Sequence, residues 1–106
     1  MDELNLYSRY VGKYVIVRSK NEGLNAGTVL AADATGVCLK DARRLWYHKP
    51  ANKAEAWYEG VANSGLSNDS KISSPVKEKA IVEPYSITVC SEVAEKSIKK
   101  ADAHEQ

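Results

Sequence analysis

Residues 10–40 read YVGKYVIVRSKNEGLNAGTVLAADATGVCLK, and the alternation within them decides the fold. Side chains alternate between faces along an extended chain, so Val11, Val15 and Val17 share one face with Lys13, while Tyr14, Ile16 and Arg18 share the other. Both faces are largely apolar, which predicts a central first strand over 10–19. KNEG (20–23) is a turn built from residues that tolerate unusual backbone angles. LNAGTVLAAD (24–33) is the second strand, and its Gly27 predicts a bulge, a bend or a close backbone approach. DATG (33–36) is a turn with glycine last, as a type I turn prefers. VCLKDARRLWYHK (37–49) is the third strand, bent near Asp41–Ala42. Pro50 lacks the N–H that further pairing would need.

Working outward, NKAEAWYEGVA (52–62) predicts a helix. Asn52 can cap it, Glu55 can complete a capping box, and Ala54, Trp57, Tyr58 and Val61 form one apolar face. Gly60 and NSGLSNDS (63–70) are expected to end it, the latter as a mobile loop. KISSPVKEKAIVEPYSITVCS (71–91) holds two or three short strands, confined by Pro75 and Pro84 to edges, bulges or strand starts. Ser91 can cap a final helix, EVAEKSIKK, with acids early and lysines late as the helix dipole favours. The fold class is therefore α+β. It is expected to be a small, strongly bent antiparallel sheet or partly open SH3-like barrel, with one inserted and one C-terminal helix. Residues 1–100 are expected to form a single domain and 101–106 a disordered tail.

The 106 residues suffice for one modest core, and a 43% hydrophobic and 27% charged composition is globular rather than disordered. With no Phe, the large apolar side chains come mainly from Val, Ile, Leu, Trp and Tyr, which suit pleated sheets. A formal charge of +1 argues against a protein made mainly to coat nucleic acid or anionic membrane. No apolar run approaches a membrane span, and MDELNLYSRY (1–10) does not read as a secretion signal; a cytoplasmic setting is expected, with Cys38 and Cys90 as buried free thiols. Two Cys and two His without short ligand spacing predict no metal site, and no cofactor is expected.

The one conspicuous charge asymmetry lies between Cys38 and Lys53, where Lys40, Arg43, Arg44, Lys49 and Lys53 face only Asp41. Arginine offers a rigid fork of donors that matches phosphate, and Trp and Tyr offer flat faces for a base. Alternation puts Arg44, Trp46 and His48 on one face and Arg43, Leu45 and Tyr47 on the other, with Leu45 and Tyr47 toward the core. The candidate ligand-binding residues are Arg18, Arg43, Arg44, Trp46, Tyr47 and His48. Trp46 has a second reading, packing on Trp57 or Tyr58 with Arg44 laid over it.

Catalytic motifs are missing. VGKY lacks the glycine spacing and the following Ser/Thr of a phosphate loop, and EGLNAG is only a glycine pair. Neither His48 nor His104 begins a His-x-Thr/Ser motif. Nothing marks Cys38 with His48 as an activated nucleophile. A binding protein rather than an enzyme is expected.

The segments GKYVIVRS, AGTVL, LKDARRLWYHKPA, YEGV and SITVCSEVAEKSI together resemble a family of small, single-domain phage and prophage proteins of uncharacterised function. The resemblance spans roughly 12–98, with DARRLWY as its most specific segment. It implies a phage gene acting in the bacterial host cytoplasm. With the Arg/aromatic patch, this leads to the expectation of a non-enzymatic protein that sequesters a small nucleotide-like, phosphate-bearing immune signal. A homo-oligomer is expected, since a chain this small forms a shallow pocket alone and a deeper one at an interface. The alternatives are a nucleic-acid-binding module and a protein–protein inhibitor anchored by Trp46, Tyr47 and Trp57.

Overall fold

YVIVRS, Tyr14–Ser19, is strand β1, and it is paired on both sides, as its two apolar faces require. The computed structural model describes residues 6–47, 57–66 and 71–103. The remaining strands are β2 (Gly23–Asp33), β3 (Gly36–Tyr47), β4 (Lys71–Ile72), β5 (Val76–Ile81) and β6 (Tyr85–Val89). The helices are α1 (Trp57–Ser64) and α2 (Glu92–Lys100). β1 begins later than the expected 10–19. Ser8–Tyr10 is a 3-10 turn, and the chain docks at Gly12, whose N–H donates to the Val29 carbonyl at 2.8 Å.

All strand pairs are antiparallel, in the order β4-β3-β2-β1-β6, with β5 also on β3. The long β3 pairs with β2 along one edge. Its other edge is taken first by β5, from Val37↔Ile81 to Ala42↔Val76, and then by β4 at Leu45↔Ile72. No ladder among the described residues closes the ring, so the fold is the bent open sheet rather than a barrel.

The bend has a local cause. Ala26 pairs with Arg43 and Thr28 with Lys40, so Gly27 alone faces Asp41 and Ala42: one extra residue in β3, a β-bulge. Asp41 takes φ +52°, the left-handed region that Asp tolerates better than most residues. A Cβ on Gly27 would lie 3.0 Å from the Lys40 carbonyl oxygen and 3.1 Å from the Leu39 Cβ. Glycine is therefore what lets β3 press this close.

Two cores result. On one face Tyr14, Ile16, Leu24, Ala26, Leu45, Ile72 and Cys90 pack under Val61 and Ala62 of α1 and Ala94 and Ile98 of α2. On the other, Val15, Val17, Val29, Val37, Leu39, Ala42 and Ile81 pack together, flanked by Tyr10, Ala32, Tyr85 and Ile87, with no α-helix of the described residues over them. A sheet that buries a face against itself must curl, and the bulge supplies the curl.

The expected caps of α1, Asn52 and Glu55, lie outside the described residues, as does 67–70 of the expected loop. The helix passes through Gly60, which was expected to help end it, and stops at Gly65. An internal glycine costs a helix only about 1 kcal/mol. Termination needs a left-handed residue, and Gly65 supplies it at φ +93°, with its N–H donating to the Val61 carbonyl at 2.8 Å. α2 follows its expectation: Ser91 Oγ accepts from Ala94 N–H at 3.1 Å, and the helix docks by Ala94 and Ile98 while Val93 stays exposed. Both cysteines are free thiols. Cys90 is buried, and burial with the charge of Glu95 pushes its thiol up to about 12. Cys38 is only half-buried, because it lies beside β5 at the sheet margin, where its thiol donates to Glu78 Oε2 at 3.4 Å.

Gly27→Ala is expected to destabilise the domain by about 1–3 kcal/mol, the usual cost of overpacking. Urea unfolding would show this as a lowered midpoint; an unchanged midpoint would mean that β3 yields freely around the bulge.

Candidate functional site

The register settles which side chains share a surface. Leu24 pairs with Arg18 and Leu45, Asn25 with Val17 and Arg44, and Ala26 with Ile16 and Arg43, with no irregularity between them. Arg18 and Arg43 therefore belong to the helix-covered face and Arg44 to the opposite one. The three arginines do not form one patch. Trp46 and Tyr47 are the last residues of β3, but their side chains, and His48 entirely, lie outside the described residues.

Arg43 is an internal strap. It is 3% exposed, its Nε donates to the Ser73 carbonyl at 2.8 Å, and its Nη1 donates to the carbonyls of Ile98 at 2.6 Å and Lys99 at 3.4 Å. One guanidinium thus joins β3, the segment after β4 and the last turn of α2. The last carbonyls of a helix have no partners within it, and a cation there also meets the negative end of the helix dipole. Arg43→Met is expected to cost about 2–4 kcal/mol, because buried carbonyls lose a charged donor. Hydrogen exchange should quicken selectively in α2; uniform exchange with unchanged stability would refute the strap.

Arg18 is exposed and lines a hollow of about 570 Å³ with Lys20, Gly23, Pro84, Tyr85 and Ser86, at the end of the sheet where the β1–β2 hairpin turns. Tyr85 is held firmly, its hydroxyl lying 2.8 Å from the Asp33 carbonyl and 3.2 Å from that of Gly36, with the Tyr7 ring 6.4 Å away. Arg44 lies on the other side of Gly23, with Nη2 3.4 Å from where a Cβ would stand. Beyond it, Lys79 pairs with Glu22 at 3.0 Å and donates to the buried Asn25 Oδ1 at 3.1 Å. Lys20, Tyr85 and Ser86 were not among the expected site residues. Nothing in local sequence links a turn lysine to a strand 65 residues later; only β1–β6 pairing, Ser19↔Tyr85 and Arg18↔Ser86, brings them together.

Glu83 fixes the hairpin that frames this hollow. Its carboxylate accepts from Asn21 N–H and Nδ2, both at 2.7 Å, and from Glu22 N–H at 3.2 Å. The neighbouring Ser19 hydroxyl and these donors hold its pKa at about 2, below the ordinary 4.5. The sign follows from the lowered pKa: Glu83 stabilises the fold above pH 4.5, and this contribution is lost as pH falls from 4.5 toward 2. Glu83→Gln should flatten the acid dependence of the urea midpoint below about pH 5; parallel wild-type and variant curves would contradict the assignment.

Among the described residues no three His, Cys, Asp or Glu are grouped to hold a metal ion, and no helix is long and apolar enough to cross a membrane.

Comparison with curated proteins gave no match, and neither did comparison with solved structures. The family comparison did: residues 12–98 match the model described as Domain of unknown function (DUF6948). That span runs from the turn before β1 into the last turns of α2 and takes in both cores, so the chain belongs to this family of uncharacterised domains.

Proposed function

We propose that the domain binds, without turning over, a small phosphate-bearing ligand derived from a nucleotide, and that the hairpin hollow is where it does so. The observation that carries this reading is the convergence of Arg18 and Lys20 with Tyr85 and Ser86 around about 570 Å³ of open space, within the size range of small-molecule sites, roughly 300–1,000 Å³. Arg18 and Lys20 hold the phosphate, and the Ser86 hydroxyl adds a hydrogen bond. Tyr85 forms a fixed wall at the strand end, its ring packed toward the self-packed core and its hydroxyl held by the Asp33 and Gly36 carbonyls, so the hollow keeps its shape when a ligand enters.

In this reading the protein is a phage-encoded, cytoplasmic sequestering agent for a nucleotide-like host signal, and two subunits deepen the hollow at their interface. Binding without turnover is supported by the commitments of the hairpin carboxylates: Glu83 is engaged by the turn and Glu22 pairs with Lys79. Arg43 plays no part here, since its guanidinium lies inside the fold.

Calorimetry against a cyclic dinucleotide, ADP-ribose and a single-stranded oligonucleotide tests the proposal. Saturable binding of one of the small ligands is expected, weakened about tenfold or more in Arg18→Gln/Lys20→Gln, with the ligand recovered intact after heat denaturation. If none bound, or if the oligonucleotide were preferred with steep salt dependence, the reading would fall.

A further inference from the structure

A second cleft opens at the opposite end of β1, roughly 16 Å from the hollow at the strand's rise per residue. It measures about 440 Å³ and is lined by Tyr14, Thr28, Lys40, Asp41, Arg43 and Lys99, together with Pro75. β1, β2 and β3 place Tyr14, Thr28, Lys40 and Arg43 on the same face, since Tyr14 pairs with Thr28 and Thr28 with Lys40. The bulge puts Asp41 at the cleft between Lys40 and Arg43, and α2 brings Lys99 in from above.

Three features of this cleft bear on what it could hold. Lys40, Arg43 and Lys99 line it with Asp41, while Glu95 pairs with Lys99 and Asp102 acts on Arg43 from outside the lining. The Nη2 group of Arg43 donates to no acceptor among the described residues, although the rest of its guanidinium is fully engaged. The Tyr14 hydroxyl, on a residue 5% exposed, is buried and has no hydrogen-bond partner among the described residues, a costly condition for an O–H group. Over the Tyr14 ring, at 5.1 Å, lies the Lys99 ammonium, which also pairs with Glu95 at 2.6 Å. This lysine is a largely exposed, flexible side chain on the last turn of α2, so it can swing aside.

We propose that this cleft binds a phosphate monoester, with Arg43 Nη2, Lys40 and Lys99 on the phosphate and Asp41 accepting from a hydroxyl of the attached group. Lys99 leaves its perch over Tyr14 to meet the anion, and the uncovered Tyr14 hydroxyl then donates to a phosphate oxygen. Thr28 supplies a further hydroxyl from the cleft floor. Asp41 selects against a bare anion and for one that carries a neighbouring hydroxyl donor, so a sugar phosphate fits better than inorganic phosphate. The left-handed backbone of Asp41 belongs to the bulge, which sets this residue at the cleft between Lys40 and Arg43.

The test is an amide-resolved NMR titration of the full chain with glucose 6-phosphate and with inorganic phosphate, at constant ionic strength. Saturating shifts are expected at Thr28, Lys40 and Asp41, with the sugar phosphate binding more tightly. Lys40→Gln/Lys99→Gln, both exposed positions whose spectra report their own folding, should weaken binding about tenfold or more. Asp41→Asn, which keeps a residue tolerant of the left-handed conformation, should remove the preference for the sugar phosphate. Arg18→Gln should leave this titration unchanged, which separates the cleft from the hairpin hollow. Non-saturating shifts, wild-type affinity in the double lysine variant, or loss of affinity in Arg18→Gln would each overturn the proposal.

Discussion

The close approach of β3 to Gly27 is the constraint on which the rest of the molecule depends. One extra residue at Asp41 resets the alternation of β3, so that Leu39 and Ala42 share the self-packed face while Lys40, Arg43 and Leu45 share the helix-covered one. Without that reset, one half of β3 would turn its apolar side chains from one core to the other. The bulge also bends the strand enough for its outer edge to serve two different partners, β5 before it and β4 after it. Both cores thus follow from a position where no side chain larger than hydrogen fits without a shift of neighbouring backbone.

The bulge carries a second consequence, through Arg43. It is set on the helix-covered face beside small, apolar Ala26, where a charged side chain is costly unless every donor finds an acceptor. Backbone carbonyls of Ser73, Ile98 and Lys99 answer most of that demand. The arginine thereby stitches the last turn of α2 to the sheet and covers helix carbonyls that nothing within the helix can reach. A residue that reads in isolation as a phosphate ligand is thus chiefly a structural fastener, with one guanidinium nitrogen left over. The neighbouring Arg44, one residue on and therefore on the other face, remains at the surface over Gly23.

Both recesses sit where β1 meets other strands, one at each end. At the hairpin end, Glu83 organises the turn by accepting from backbone N–H groups, and the cations Arg18 and Lys20 stay at the rim. At the bulge end, Lys40 and Lys99 are exposed while Arg43 is buried under α2 beside a buried hydroxyl. The charge of Arg43 is therefore screened less by water than those at the hairpin.

Much of the architecture was legible in the residues themselves, because alternation and turn chemistry are local. The three-strand meander, the bend at Asp41–Ala42, the special role of Gly27 and the Ser91-capped helix all follow from short-range geometry. The facing of Leu45 toward the core was also legible, and the same parity already placed Arg43 inside. What local pattern does not carry is partnership across the chain. Whether Arg43 meets a ligand or three carbonyls depends on where α2 and the Ser73 segment dock. That Lys20 shares a hollow with Tyr85 and Ser86 depends on β6 pairing with β1. Where α1 stops was decided by which glycine had to adopt a left-handed backbone, and Gly65, not Gly60, stood at that point. Local sequence determines the strands and their faces through side-chain geometry; only tertiary docking determines which charges are sealed in and which remain to meet a ligand, because desolvation depends on what lies on top.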